Sequence, residues 1–275
     1  MSPATGRDRF LRACRREPVD ATPVWFMRQA GRALPEFRAI RARASLPEIV
    51  AEPALAAEVT LQPVRRLGVD AAILFADLST PLAGLGVAVD LVADVGPVVR
   101  DPIGDAAGLA RLRPFELGAV ASTLETIRLI RAASPVPLIG FVGAPFTIAC
   151  YLVEGRPSRD LLTTRRLVQA RPGLMTELLE TLAAMVAAFA RAQIEAGAQA
   201  IQLFDSWVGV LAPADYQRLV LPVMSRLLGE LAPLGVPLIH FGTGTAGLLE
   251  DVAAAGGDVI GLDWRVDLAA AWARI

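Results

Sequence analysis

The chain has 275 residues, is 54% hydrophobic and 20% charged, and carries a net charge of −1. That is enough sequence for a buried core in one large α/β domain or two small ones, too apolar for a disordered chain, and too near neutrality for a broadly basic nucleic-acid binder. All 27 basic residues are arginine and the single histidine is His240. Schiff-base aldolase, pyridoxal and P-loop chemistries, each needing a lysine nitrogen, and a three-histidine zinc site are therefore excluded.

Further exclusions follow from patterning. A serine triad would have only His240 as its base, and no G-x-S-x-G elbow accompanies it. Cys14 and Cys150 make no disulfide framework and suit a reducing compartment. The opening MSPATGRDRF lacks an apolar segment, and the longest apolar stretch, 182–190, is flanked by Glu180 and Arg191. Neither a secretory signal nor a membrane span is expected.

In chain order, short apolar runs alternate with longer amphipathic stretches. A strand is predicted over 24–27. A helix over 47–67 opens on a Ser45-x-x-Glu48 capping pattern and stops at Gly68. A strand follows over 71–75, then a β-hairpin over 86–99, where Val87, Val89 and Leu91 alternate with small or polar residues. Strands are predicted over 138–142, 200–204, 237–241 and 259–262. Between them run a long helix over 172–196, ended by Gly197, and a segment over 213–231 that Pro222 should kink or divide. This order predicts a parallel α/β fold, and its spacing favours a TIM-type (β/α)8 barrel with about six of the eight strands present. Residues 1–275 are expected to form one barrel domain, incomplete at its C-terminus.

In such a barrel the segments after the strands share one face, where active sites are built. Those segments are Arg28-Gln29-Ala30-Gly31-Arg32, Ala76-Asp77, Gly143-Ala144-Pro145 leading to Tyr151, Asp205-Ser206-Trp207, Gly242-Thr243-Gly244 and Asp263-Trp264. Singly, an Asp there is an ordinary helix cap and a Gly a tight turn; jointly, they point to a site. Arg28 and Arg32 could hold carboxylates through their planar forks. Residues 7–43 carry ten Arg against four Asp or Glu, which makes this region an anion receiver. Arg7, Arg9, Arg12, Arg15 and Arg16 read more simply as a solvated helix face. Asp77, beyond an apolar run, needs donors or a cation, which ring N–H groups of a ligand would supply. Tyr151 reads equally as a ligand contact or a buried phenol bonded to backbone, and Ser206 as a ligand contact or a turn residue. His240, flanked by apolar neighbours, reads as a core histidine, and Cys150 as a small core residue.

Several of these runs together resemble the uroporphyrinogen decarboxylase family. Pro23-Val24-Trp25-Phe26-Met27-Arg28-Gln29-Ala30-Gly31-Arg32 is similar to its N-terminal signature, and Gly140-Phe141-Val142-Gly143-Ala144-Pro145-Phe146-Thr147, with Tyr151 and Glu154-Gly155, to its second. The stretches around Asp77, Ser206 and Asp263 resemble further family blocks in the same order. The resemblance implies a β/α-barrel carboxy-lyase, cytoplasmic and homodimeric when full length, without cofactor or metal. It would convert the four acetate side chains of uroporphyrinogen III to methyls, giving coproporphyrinogen III in haem and tetrapyrrole synthesis.

The same resemblance implies site roles. Arg28, Gln29, Ala30, Gly31 and Arg32 would contact substrate carboxylates, Asp77 would receive the pyrrole N–H groups, and Tyr151 and Ser206 would touch substrate. Asp77, Arg28 and Tyr151 are the expected catalytic residues. Family members continue through two further strands and a Gly-His-Gly segment that does not precede Ile275, so a fragment of weak activity is expected. Two rivals are a non-catalytic porphyrinogen-binding protein and a zinc-dependent, cobalamin-linked methyltransferase. The latter would carry His-x-Cys where this chain has His240-Phe241-Gly242.

Overall fold

The computed structural model describes residues 8–92 and 95–275, leaving Arg7 and the opening residues outside. Five parallel strands form the main sheet: β1 (Ala72–Ile73), β4 (Leu138–Gly143), β5 (Ala200–Asp205), β6 (Leu238–Gly242) and β7 (Val259–Gly261), paired in that order. β2 (Val89–Val92) and β3 (Gly96–Val99) form the separate antiparallel hairpin that alternation over 86–99 predicts. β1 and β7 are edges, so the sheet is an α/β, TIM-barrel-like arrangement that does not close among the described residues.

Five of the six predicted strands are present. The sixth, over 24–27, has no regular secondary structure over 24–26 and enters a turn at Met27. Its ties to the sheet are local: Asp70 N–H donates to the Val24 carbonyl at 2.8 Å, and Val24 N–H donates to the Asp70 carboxylate at 2.7 Å. The Asp70 side chain, held in turn by Arg9 at 2.5 Å, takes the hydrogen bond that a neighbouring strand would otherwise receive.

Two layers of core flank the sheet. On its helical side, Val142, Ile201 and Leu203 pack with Met175, Leu178, Leu182 and Phe189 of the Pro172–Ala196 helix. By length and composition that 25-residue helix could cross a bilayer, yet half of its most apolar window is buried inside the protein. On the inner side, Ile73, Ile139, Phe141 and Ile239 pack with Phe10 and Leu11 of the Arg9–Cys14 helix.

Local chemistry sets the helix ends. The predicted 47–67 helix is two helices, Leu46–Ala51 and Pro53–Leu67. Ser45 and Glu48 make the full capping box, but Glu52 precedes proline and is extended (φ −102°, ψ 101°). Pro222 divides the 213–231 segment: a π-helical stretch, Tyr216–Val220, leads into Leu221–Leu231. Proline lacks the N–H for the preceding turn, and widening that turn accommodates the loss.

Candidate active site

The strand exits surround a cavity of about 720 Å3 whose lining includes Arg28, Gln29, Ala30, Asp77, Tyr151, Ser206, Trp207 and Thr243. That volume lies within the roughly 300–1,000 Å3 usual for small-molecule sites. Its floor is aromatic. Phe141, Phe204 and Phe241, from three adjacent strands, meet edge to face, with centroids 5.5 Å apart for the first pair and 5.8 Å for the second.

Asp77 follows β1 and is half-buried. Its Oδ1 accepts the Ser79 N–H at 2.8 Å and the Ser79 hydroxyl at 2.5 Å, while its own N–H donates to Thr80 Oγ1 at 3.2 Å. This turn supplies the donors that a carboxylate beside an apolar strand requires. Oδ2 accepts no hydrogen bond among the described residues, which leaves one carboxylate oxygen for a ligand donor.

Tyr151 stands on the Pro145–Glu154 helix, which starts on proline and ends at left-handed Gly155 (φ 73°). Its ring lies 4.4 Å from that of Trp207. Burial first, and then the Asp77 charge, push its pKa up to about 12, against a smaller opposing effect of Arg28. The phenol is thus a neutral donor at physiological pH, within electrostatic reach of both Asp77 and Arg28.

Arg28 is exposed at the cavity mouth, and no carboxylate pairs with it among the described residues. Gln29 is buried and structural: its Nε2 donates to the Ala71 carbonyl at 3.0 Å, and its Oε1 accepts the Phe26 N–H at 3.2 Å. It clips the loop carrying Arg28 onto the start of β1. Gly31 and Arg32 are not among the lining residues; the Arg32 carbonyl accepts from Arg38 at 2.8 Å. Arg9 and Arg12, which the sequence reads as part of a solvated helix face, are instead half-buried and pair with Asp20, Asp70 and Glu17.

The last strand exit does not join the site. Asp263 receives the Gly244 N–H at 2.9 Å and the Arg265 N–H at 3.0 Å, bracing the β6 and β7 exits against each other. Burial opposes its ionisation, but these donors and the Arg265 guanidinium hold its pKa below the ordinary range. Trp264 is 84% exposed. His240 is fully buried on the face of β6 opposite Phe241, and burial lowers its pKa to about 4. Cys14 and Cys150 are free and buried, and no cysteine lies at the β6 exit. Among the described residues, no three His, Cys, Asp or Glu side chains gather as a metal-binding group.

Trp207 and Thr243 belong to strand-exit segments that the sequence already groups, whereas the phenylalanine floor escapes a reading of isolated motifs. The phenylalanines look like ordinary strand residues until the register sets Phe204 opposite Phe241.

The family model described as uroporphyrinogen decarboxylase matches residues 5–275. Uroporphyrinogen decarboxylase of Thermus thermophilus is 56% identical over 268 residues, covering 97% of this chain and 78% of that protein. The Streptomyces coelicolor enzyme of the same name is 52% identical over 273 residues, covering 99% and 77%. Among solved structures, a methyltransferase from Methanosarcina mazei superposes with a TM-score of 0.73 at 22% identity, covering 93% of this chain and 75% of that one, a likeness of fold alone.

Proposed function

The chain belongs to the uroporphyrinogen decarboxylase family, and on that premise we propose that its chemistry takes place in the cavity between Arg28, Asp77, Tyr151 and Ser206. The activity is that of a carboxy-lyase acting on a small porphyrinogen: the acetate side chains of uroporphyrinogen III lose CO2, giving coproporphyrinogen III in haem and tetrapyrrole synthesis.

Each turnover needs an electron sink, because cleaving the bond to CO2 leaves a pair on the side-chain carbon. A pyrrole protonated on its ring carbon is that sink. The pair moves into an exocyclic double bond as CO2 leaves, a proton adds to the exocyclic carbon to make the methyl, and the ring carbon returns its proton. One proton is consumed per CO2 released. The charge that develops is a cation on the ring nitrogen, and a fixed carboxylate beside it stabilises the transition state most where water is scarce.

Asp77 is assigned that role. The observation carrying the assignment is its Oδ2, which accepts no hydrogen bond among the described residues, in a cavity floored by three phenylalanines. Tyr151, neutral to about pH 12, donates to a substrate oxygen. Arg28 at the mouth grips a side-chain carboxylate, Arg32 a second one further out, and Gln29, Ala30 and Gly31 shape the loop that presents both. Ser206 adds a hydroxyl to the cavity lining. The same reading carries the cytoplasmic, homodimeric state that the family resemblance implies; two free, buried cysteines fit a reducing compartment.

Anaerobic incubation with uroporphyrinogen tests the assignment. Asp77→Ala and Asp77→Asn should each lose at least about a hundredfold in kcat, corresponding to one preorganised charge contact. Products with fewer carboxylates appearing at the wild-type rate in Asp77→Ala would overturn it.

A further inference from the structure

The exits of β4 and β5 are joined by a buried hydroxyl–carboxyl pair that plays no part in the roles above. Thr147 Oγ1 donates to Asp205 Oδ1 at 2.9 Å, and the same oxygen accepts the Trp207 N–H at 3.2 Å. Both side chains are completely buried. A hydroxyl has one proton to give. Committing it to Asp205 fixes the rotor and turns a lone pair toward Trp207.

The consequences reach the cavity through two elements. Tyr151 lies four residues after Thr147, on the same face of one helix, and its ring rests on Trp207. Ser206 lies between Asp205 and Trp207, and its carbonyl accepts the Thr243 hydroxyl from the neighbouring exit. One hydroxyl therefore ties the helix bearing Tyr151 to the turn bearing Ser206.

Orienting a hydroxyl with Asp205 is costly. Its Oδ2 has no partner among the described residues, nor has the nearby Tyr216 hydroxyl. A half-satisfied buried carboxyl lowers stability, and here it does so one residue before a cavity-lining serine.

We propose that Thr147 and Asp205 are positioning residues for the decarboxylation, locking Tyr151, Trp207 and Ser206 into one wall of the cavity. This rests on the reading of that cavity as the porphyrinogen site.

The test uses the full chain, kcat and KM for uroporphyrinogen, and the near-ultraviolet circular dichroism of the Tyr151–Trp207 pair. Thr147→Val, which keeps shape but removes the hydroxyl, should lower kcat/KM roughly ten- to a hundredfold, the scale of a misplaced contact, and reduce the dichroism. Asp205→Leu removes the acceptor without leaving a buried charge and should do the same, which covers the case of a Thr147→Val that does not fold. Thr147→Ser and Asp205→Asn, which retain donor and acceptor, should stay within about threefold of wild type on the same scale. Thr126→Val removes an equally buried hydroxyl that bonds only within its own helix; it should change neither readout.

Wild-type kinetics and dichroism in Thr147→Val overturn the proposal. So does a loss matched by Thr126→Val, or an Asp205→Asn as damaged as Asp205→Leu. Activity retained in Asp77→Ala would instead overturn the site itself, while the dichroism would still report on the lock.

Discussion

Asp205 and His240 are buried in β5 and β6 with incomplete hydrogen bonding, and burial drives both toward their neutral forms. Asp205 is raised to about 7, against a small opposing effect of Thr147; His240 is lowered to about 4. Their linkage to stability has opposite signs. The folded state holds the Asp205 proton where the unfolded chain has released it, so that stabilisation is full below about pH 4 and is lost as pH rises through 7. The unfolded chain protonates His240 where the folded state cannot, so that stabilisation is full above about pH 6.5 and is lost as pH falls through 4. Between these limits the slopes offset each other. Urea unfolding across pH 4–8 should therefore tilt oppositely in the two variants. Asp205→Asn should gain stability with rising pH, and His240→Leu should lose it, by on the order of 1–4 kcal/mol over the window. Parallel profiles in both variants and wild type would show that neither group titrates differently on folding. His240 is legible as a core residue because its sequence neighbours are apolar. The partner of Asp205 is not legible, since Thr147 lies 58 positions away and only packing brings the two together.

Elements with their own local signals read correctly from sequence. The strands near 138, 200, 237 and 259 are apolar runs between helices, broken only by Gln202 and His240. The 86–99 hairpin shows period-two alternation, and the Pro172–Ala196 helix carries its proline start and glycine stop. One misreading, the single helix over 47–67, overlooks a local break where Glu52 precedes Pro53; the other is decided by a tertiary partner. The 24–27 segment has strand composition, yet its hydrogen bonds go to Asp70, whose carboxylate Arg9 also holds. That arrangement predicts a functional effect at a distance. Asp70 and Gln29 are the two anchors of the chain leading to Arg28. Asp70→Ala should free the Val24 N–H, loosen that chain and raise KM for uroporphyrinogen several-fold, with kcat less affected. An unchanged KM in a folded Asp70→Ala would show that Gln29 alone fixes the loop.

At the scale of the molecule, the site joins a charged mouth to an apolar interior. The arginine-rich stretch over 7–43 reads in the sequence as an anion receiver, but among its described residues the structure separates two groups of arginines. Arg9 and Arg12 direct their charge to Asp20, Asp70 and Glu17, while Arg28 meets no carboxylate among the described residues at the cavity. Exposed guanidinium groups attract anions through solvent and are screened within about 8–10 Å at physiological salt. KM should therefore rise as salt goes from about 0.05 to 0.5 M, and Arg28→Gln should flatten that dependence; an equal salt response in both would remove Arg28 from the substrate's path. The aromatic floor is not legible in the sequence, because it exists only once three parallel strands fall into register.

The most direct measurement is a crystal structure of the protein with coproporphyrinogen bound under anaerobic conditions. The macrocycle should occupy the cavity between Arg28 and Ser206, with its pyrrole nitrogens within about 3 Å of the Asp77 carboxylate. A macrocycle whose nitrogens face away from Asp77, or one bound outside that cavity altogether, would contradict the account.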